Sequence, residues 1–251
     1  MSRERDPEPG VHDAAAQRTW LRPGEVLFVS ACVLVLGFLV ADVLADGLIT
    51  GLDREVADYV ASRGPAAGWM RAAAAAGGFG VSGAIAVIAT LMSAQRSWRW
   101  WPLGLTVGVV ATMSVLVVGT KTLVGREGPP GVDTPQGYAG YFPSGHTATS
   151  VVCLGTAAFL VMAMWRPGLG VGQAAASRAR WRRALTVSRV VGFVAGSVVG
   201  AAAVLTGHHW LTDVAAGIAL SMAVLVVGTA AARGYLCRPH HRAGRSVGGT
   251  P

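Results

Sequence analysis

The chain has 251 residues, 52% hydrophobic and 14% charged, with a mean hydropathy of +0.48. That composition excludes an ordinary soluble enzyme and describes a chain built to sit in a bilayer. Its net charge of +8 does not argue for a nucleic-acid partner, because the basic residues are sorted between loops rather than gathered in one patch.

Residues 1–23 are charged, contain proline and lack apolar periodicity, so they read as a flexible cytoplasmic segment. Six apolar stretches then follow, near 25–45, 72–94, 101–120, 147–165, 187–207 and 211–232. Each approaches the roughly 20 residues that cross a hydrocarbon core. The first has a long charged leader and no clear small-residue cleavage site, so it is read as an uncleaved helix. The expected fold class is all-α, an integral membrane protein of six transmembrane helices over 24–232, with a basic cytoplasmic tail at 233–251.

Charge gives the orientation. Arg3, Arg5, Arg18 and Arg22 precede the first stretch, and Arg96 and Arg99 lie between the second and third. Arg166, Arg178, Arg180, Arg182, Arg183 and Arg189 fall between the fourth and fifth, and Arg233, Arg238, Arg242 and Arg245 follow the sixth. All of these lie on one side of a six-span layout, and the positive-inside rule makes that side the cytoplasm. Both termini are then cytoplasmic, in the cytoplasmic membrane.

Between the spans, Asp53–Val60 has the pattern of a short amphipathic helix on the outer surface. Trp98, Trp100 and Trp101 beside Arg96 and Arg99 read as an interfacial anchor. Arg166–Ala184 reads as a cytoplasmic linker. The long outer segment Gly125–Pro143 is broken by prolines and glycines, which excludes regular structure over most of it. Cys32, Cys153 and Cys237 have neither metal-ligand nor disulfide spacing and receive no role.

Candidate chemistry collects at the outer ends of the spans. Pro143-Ser144-Gly145-His146 is a turn that opens into the apolar run of the fourth span. Ser144 is an N-cap candidate, and the backbone N–H groups that follow, Gly145 first, have no intrahelical partners and suit a phosphate. His146 would stand in the first turn, beside the anion. Lys121 is the single lysine among 21 basic residues, at the end of the third span. It is either a phosphate ligand or a snorkelling anchor. His209 and Asp213 stand four apart at the start of the sixth span, a spacing that puts both on one helix face. There the carboxylate would fix the imidazole tautomer and sharpen the other ring nitrogen as a nucleophile. The plainer alternative is a capping Asp213 among interfacial histidines. His208 would point about 100° away and is assigned to the rim. In the six-span layout these groups share one membrane face, and together they describe metal-free phosphoryl transfer. His209 would attack phosphorus and His146 would protonate the leaving oxygen. Lys121, Arg126, Ser144 and the Gly145 turn would hold the equatorial oxygens.

This constellation resembles the phosphatidic acid phosphatase type 2 superfamily of membrane lipid phosphatases, relatives of the class A acid phosphatases and vanadium haloperoxidases. The family carries Lys-x6-Arg-Pro, Pro-Ser-Gly-His and Ser-Arg-x5-His-x3-Asp. Residues 143–146 match the second motif completely, and His209-x3-Asp213 matches the end of the third. The resemblance implies a helical core of that superfamily, no cofactor or metal, and a phosphohistidine intermediate at the outer membrane face. It also implies a lipid phosphate or diphosphate substrate, such as an isoprenyl diphosphate or a phosphatidyl phosphate. Two positions depart. Gly128 stands where the first motif has arginine, with Arg126 two residues earlier, and Ala202-Ala203 replaces Ser-Arg. A relative that binds a phosphorylated lipid without turnover is the alternative. A transporter would need charge at both faces or in mid-span, where this sequence has little.

Overall fold

The computed structural model describes residues 21–64, 66–97, 99–132, 134, 136–164 and 173–236. No strand occurs among them. The chain order is α1 (Pro23–Leu44), α2 (Leu48–Ser62), α3 (Gly68–Ala76), a π-helical turn (Phe79–Gly83), α4 (Ala84–Ser97), α5 (Trp101–Val124), α6 (Gly145–Met164), α7 (Gln173–Leu205) and α8 (Leu211–Leu236). Among the described residues, six segments are long and apolar enough to cross a membrane: α1, the π turn with α4, α5, α6, the Ala179–Leu205 part of α7, and α8.

Burial sorts the six. α6 and α8 form the interior, and Val152, Phe159, Leu160, Leu225 and Val226 are among the side chains fully enclosed there. α1, α4 and α5 surround them and keep Leu34, Ile88 and Val115 on the outside, where a bilayer replaces water as the apolar partner. Inside hydrocarbon, helices gain from close packing and from hydroxyl pairs rather than from dewetting. The buried Thr90 and Thr106 hydroxyls meet at 2.7 Å between α4 and α5, and the Ser188 hydroxyl donates to the Gly155 carbonyl at 2.8 Å between α7 and α6.

Four expectations change. The second predicted span does not start at 72, because that residue lies inside α3, which ends at Ala76 before the chain bends at Gly77-Gly78 ahead of the π turn. A Cβ on Gly77 would lie 2.3 Å from the Val199 side chain of α7, so only glycine allows the bend to pack so close. The amphipathic helix is longer than Asp53–Val60 and is held by Asp42, whose carboxylate accepts from the Ile49 and Thr50 N–H groups at 3.2 and 2.8 Å. Helix α7 begins at Gln173, inside the segment read as linker, while residues 165–172 lie outside the described residues. Lastly, α8 continues to Leu236, so Arg233 belongs to the bundle and not to a tail. It forms a two-pronged pair with the buried Glu25 of α1 at 2.7 and 2.8 Å, and Arg189 of α7 adds a third bond at 2.7 Å. The leader 1–20, Trp98 and the tail from 237 lie outside the described residues.

Candidate active site

The end of the bundle opposite the Glu25 cluster gathers the C-terminal end of α5, the irregular 125–143 segment, and the first turns of α6 and α8. Ser144 immediately precedes α6 and is fully buried. Its hydroxyl accepts from the Thr147 hydroxyl at 3.0 Å and, at the limit of hydrogen bonding, from the Thr147 N–H at 3.5 Å. This is the expected cap. The Ser144 N–H donates to the Asp213 carbonyl at 2.9 Å, so the two helix starts are tied through backbone. The N–H groups of Gly145 and His146 occupy first-turn positions without intrahelical partners.

His209 and Asp213 do meet, though not as two residues on one helix. α8 begins at Leu211, and His209 sits in the turn before it. Asp213, in the first helical turn, reaches back with Oδ2 to the Trp210 N–H and to His209 Nδ1, both at 3.1 Å. Asp213 thus contacts both the backbone of the turn before α8 and the His209 ring. Nδ1 faces the carboxylate, so Nε2 is the ring nitrogen turned away from Asp213. His208, as expected, points elsewhere and is exposed, with Nδ1 3.0 Å from the Thr206 hydroxyl.

Lys121 is buried, which favours a built role over a snorkelling anchor. Its ammonium donates to the Tyr138 hydroxyl at 3.0 Å and to the Gly140 carbonyl at 2.5 Å, fastening the outer segment over α5. An ammonium has three donors, and these two bonds use two of them. Burial first, and the Asp213 charge second, push the Tyr138 phenol above its ordinary value, so it stays neutral beside the lysine. His146 is exposed at the start of α6, within electrostatic reach of His209, Lys121 and His208. A Cβ on Gly78 would come 3.4 Å from the His146 Nε2, so the bend before the π turn lies against this ring. A cavity of about 520 Å³ between α2, Pro129–Val132 and the α7–α8 turn reaches His208 and His209, but Lys121, Ser144 and His146 do not line it.

Arg126 differs most from expectation. Its guanidinium is not left open for an anion. One terminal nitrogen donates to Asp213 Oδ1 at 2.8 Å and to the Thr212 hydroxyl at 2.6 Å, and the other donates to Asp53 Oδ2 at 2.6 Å. The planar group also lies over the Trp210 ring, 5.0 Å from its centre. Two carboxylates with buried side chains satisfy this fork geometrically, which removes the reason to assign it to phosphate. Asp53 is the residue that sequence reasoning missed. Its signal was faint: an acid on what should be the apolar side of an amphipathic helix.

The two departures also have structural neighbours. A Cβ at Gly128 would stand 2.7 Å from the Tyr141 ring, which occupies the space beside it. Tyr141 in turn meets His209 edge to face, with ring centres 5.7 Å apart. Ala202 and Ala203 are buried on α7, and the Ala203 carbonyl accepts from the His208 N–H at 2.9 Å.

With that geometry in hand, comparison with known proteins is direct. No curated protein matches the sequence. Among solved structures, the fold is similar to the crystal structure of a transmembrane PAP2-type phosphatidylglycerolphosphate phosphatase from Bacillus subtilis. The TM-score is 0.63 at 17% identity, over 87% of this chain and 98% of that one. The family model described as PAP2 superfamily matches residues 99–234, from the foot of α5 almost to the end of α8, and the chain belongs to that superfamily.

Proposed function

We propose that the protein hydrolyses the phosphate monoester or diphosphate of a membrane lipid through a phosphohistidine, at the outer face of the membrane. The observation that carries this reading is the His209–Asp213 bond at 3.1 Å beside the Ser144 turn. Asp213 holds the proton on Nδ1, and Nε2 attacks phosphorus in line. The bond from phosphorus to the leaving oxygen breaks, the lipid alcohol oxygen of a monoester or the bridging oxygen of a diphosphate, and His146 gives that oxygen a proton. Water then attacks the phosphohistidine, His146 takes the proton back, and the N–P bond breaks to release inorganic phosphate. Lys121, through its third donor, and the Gly145 and His146 N–H groups stabilise the oxygens as charge develops, with Ser144 fixing the turn. The residues supply the proton and the charge themselves, so the scheme calls on no metal.

The outward orientation rests on the arginine asymmetry. The lipid substrate rests on family membership and on a site at the rim of six apolar helices. One observation favours the second reading, a binder without turnover: with Gly128, Ala203 and an occupied Arg126, the turn has Lys121 as its near fixed cation.

Phosphate release from phosphatidyl and isoprenyl phosphates by the purified protein, with and without EDTA, separates the readings. Turnover should be lost in His209→Ala, be largely kept in His208→Ala, and survive the chelator. Equal losses at the two histidines would sink the phosphohistidine scheme, and binding of the same lipids without release would establish the binder.

A further inference from the structure

The PAP2 motifs account for Asp213 and His209 but not for what holds Asp213 itself. Its two oxygens have separate duties. Oδ2 faces His209 Nδ1 and the Trp210 N–H, and Oδ1 receives Arg126. A carboxylate fixed through one oxygen can still rock about its Cβ–Cγ bond; fixed through both, its plane is set. Arg126 is located in its turn by Asp53, whose side chain is fully enclosed. Asp53 Oδ1 accepts the Thr212 N–H at 3.0 Å, and Oδ2 accepts both Arg126 at 2.6 Å and the Thr212 hydroxyl at 2.5 Å. The chain of contacts thus runs from the surface helix α2, through the 125–143 segment, to the first turn of α8.

We infer that Asp53 and Arg126 are positioning residues for the nucleophile, a buried carboxylate–guanidinium link by which α2 fixes Asp213 and, through it, the His209 imidazole. The inference rests on the phosphohistidine reading for its catalytic consequence, but the geometry it asserts does not. Neither residue touches substrate. Asp53 alone could have a simpler duty, capping α8 from outside through the Thr212 N–H. The two roles are separable by one atom, because asparagine keeps an oxygen for that N–H while losing the charge that holds Arg126.

The test compares wild type, Asp53→Asn, Arg126→Gln and the double variant, as full-length protein in detergent, for phosphate release from one lipid phosphate. Outer partners of a functional histidine typically matter by about 10–100-fold, a range taken from metal-bound histidines. Each single variant should lower kcat by about tenfold or more with little change in KM. The double variant should be no worse than Arg126→Gln, because both act through one contact. A loss confined to KM at Arg126→Gln would make it a phosphate ligand and overturn the inference. So would an Asp53→Asn protein of lowered melting temperature but unchanged kcat, since the acid would then only cap α8. If wild type shows no turnover, the phosphatase reading fails while this one stays open to test by 15N-histidine spectra, with His209→Ala locating the resonance. One Nδ1–H tautomer in wild type, giving way to a mixture in Asp53→Asn, supports the link. An unchanged tautomer refutes it, as does failure of Thr212→Val, which removes the shared hydroxyl, to disturb it.

Discussion

Restoring the family arginine at Gly128 should damage the site, not repair it. The Cβ of any substituent there would stand 2.7 Å from Cε2 and Cζ of Tyr141. Carbon atoms sit comfortably at about 3.5–4.0 Å, so the ring must retreat by about 1 Å. It has little room. Tyr141 is buried, its ring meets Tyr138 at 5.0 Å and His209 at 5.7 Å between centres, and its hydroxyl lies 3.3 Å from that of Thr134. Overfilling a packed site of this kind costs about 1–3 kcal/mol. The backbone at Gly128 is not in the left-handed region, so the cost is steric alone. If displacement reaches His209, the same energy in the barrier slows turnover by about 5- to 150-fold. Gly128→Ala should therefore already lower both the melting temperature and phosphate release, and Gly128→Arg should lower them further. Gly128→Arg with Tyr141→Ala, which opens the space, should recover part of the loss. A Gly128→Arg protein that melts no lower and turns over faster than wild type would refute the packing argument and mark the site as one that merely lacks its arginine.

At the other end of the bundle, Glu25→Gln removes the negative charge that Arg233 and Arg189 share. Breaking a buried pair of this kind costs about 3–5 kcal/mol. A large drop in melting temperature is expected, with kcat of the still-folded fraction unchanged, since the cluster joins α1, α7 and α8 far from His209. Orientation is checked with Glu127→Cys and Arg99→Cys in a background without native cysteines: an impermeant reagent on intact cells should label the first and spare the second. Labelling of Arg99→Cys alone would reverse the topology.

What was legible in the sequence is what a bilayer and a helix start impose locally. Six apolar runs announce themselves because no polar stretch of that length survives in lipid. The Ser144 turn does so because its cap, its orphan N–H groups and its histidine are consecutive. His209 and Asp213 were paired correctly for an incomplete reason. The contact spans a turn and the first helical residues, and a separation of four brings them together there as well. Several of the misread features have a cause distant in sequence. The break before the π turn answers to Val199, which packs where a Cβ on Gly77 would lie. Arg233 read as one more cytoplasmic charge because its partner, Glu25, lies 208 residues earlier.

Arg126 is the most instructive of these. A basic residue two positions from the arginine position of the family motif, in a loop that ends at the Ser144 turn, reads naturally as a replacement clamp. Two contacts outside that window argue otherwise. Asp53 lies 73 residues before it, on a helix whose pattern suggested only a surface role, and Asp213 lies 87 residues after it with a free oxygen once His209 has taken the other. An arginine fork placed between two buried carboxylates neutralises one of them and is fixed by both. In this geometry it can serve the phosphate only by abandoning a carboxylate in a buried setting. That cost makes support of the nucleophile, rather than grip on the anion, the role this arginine fits.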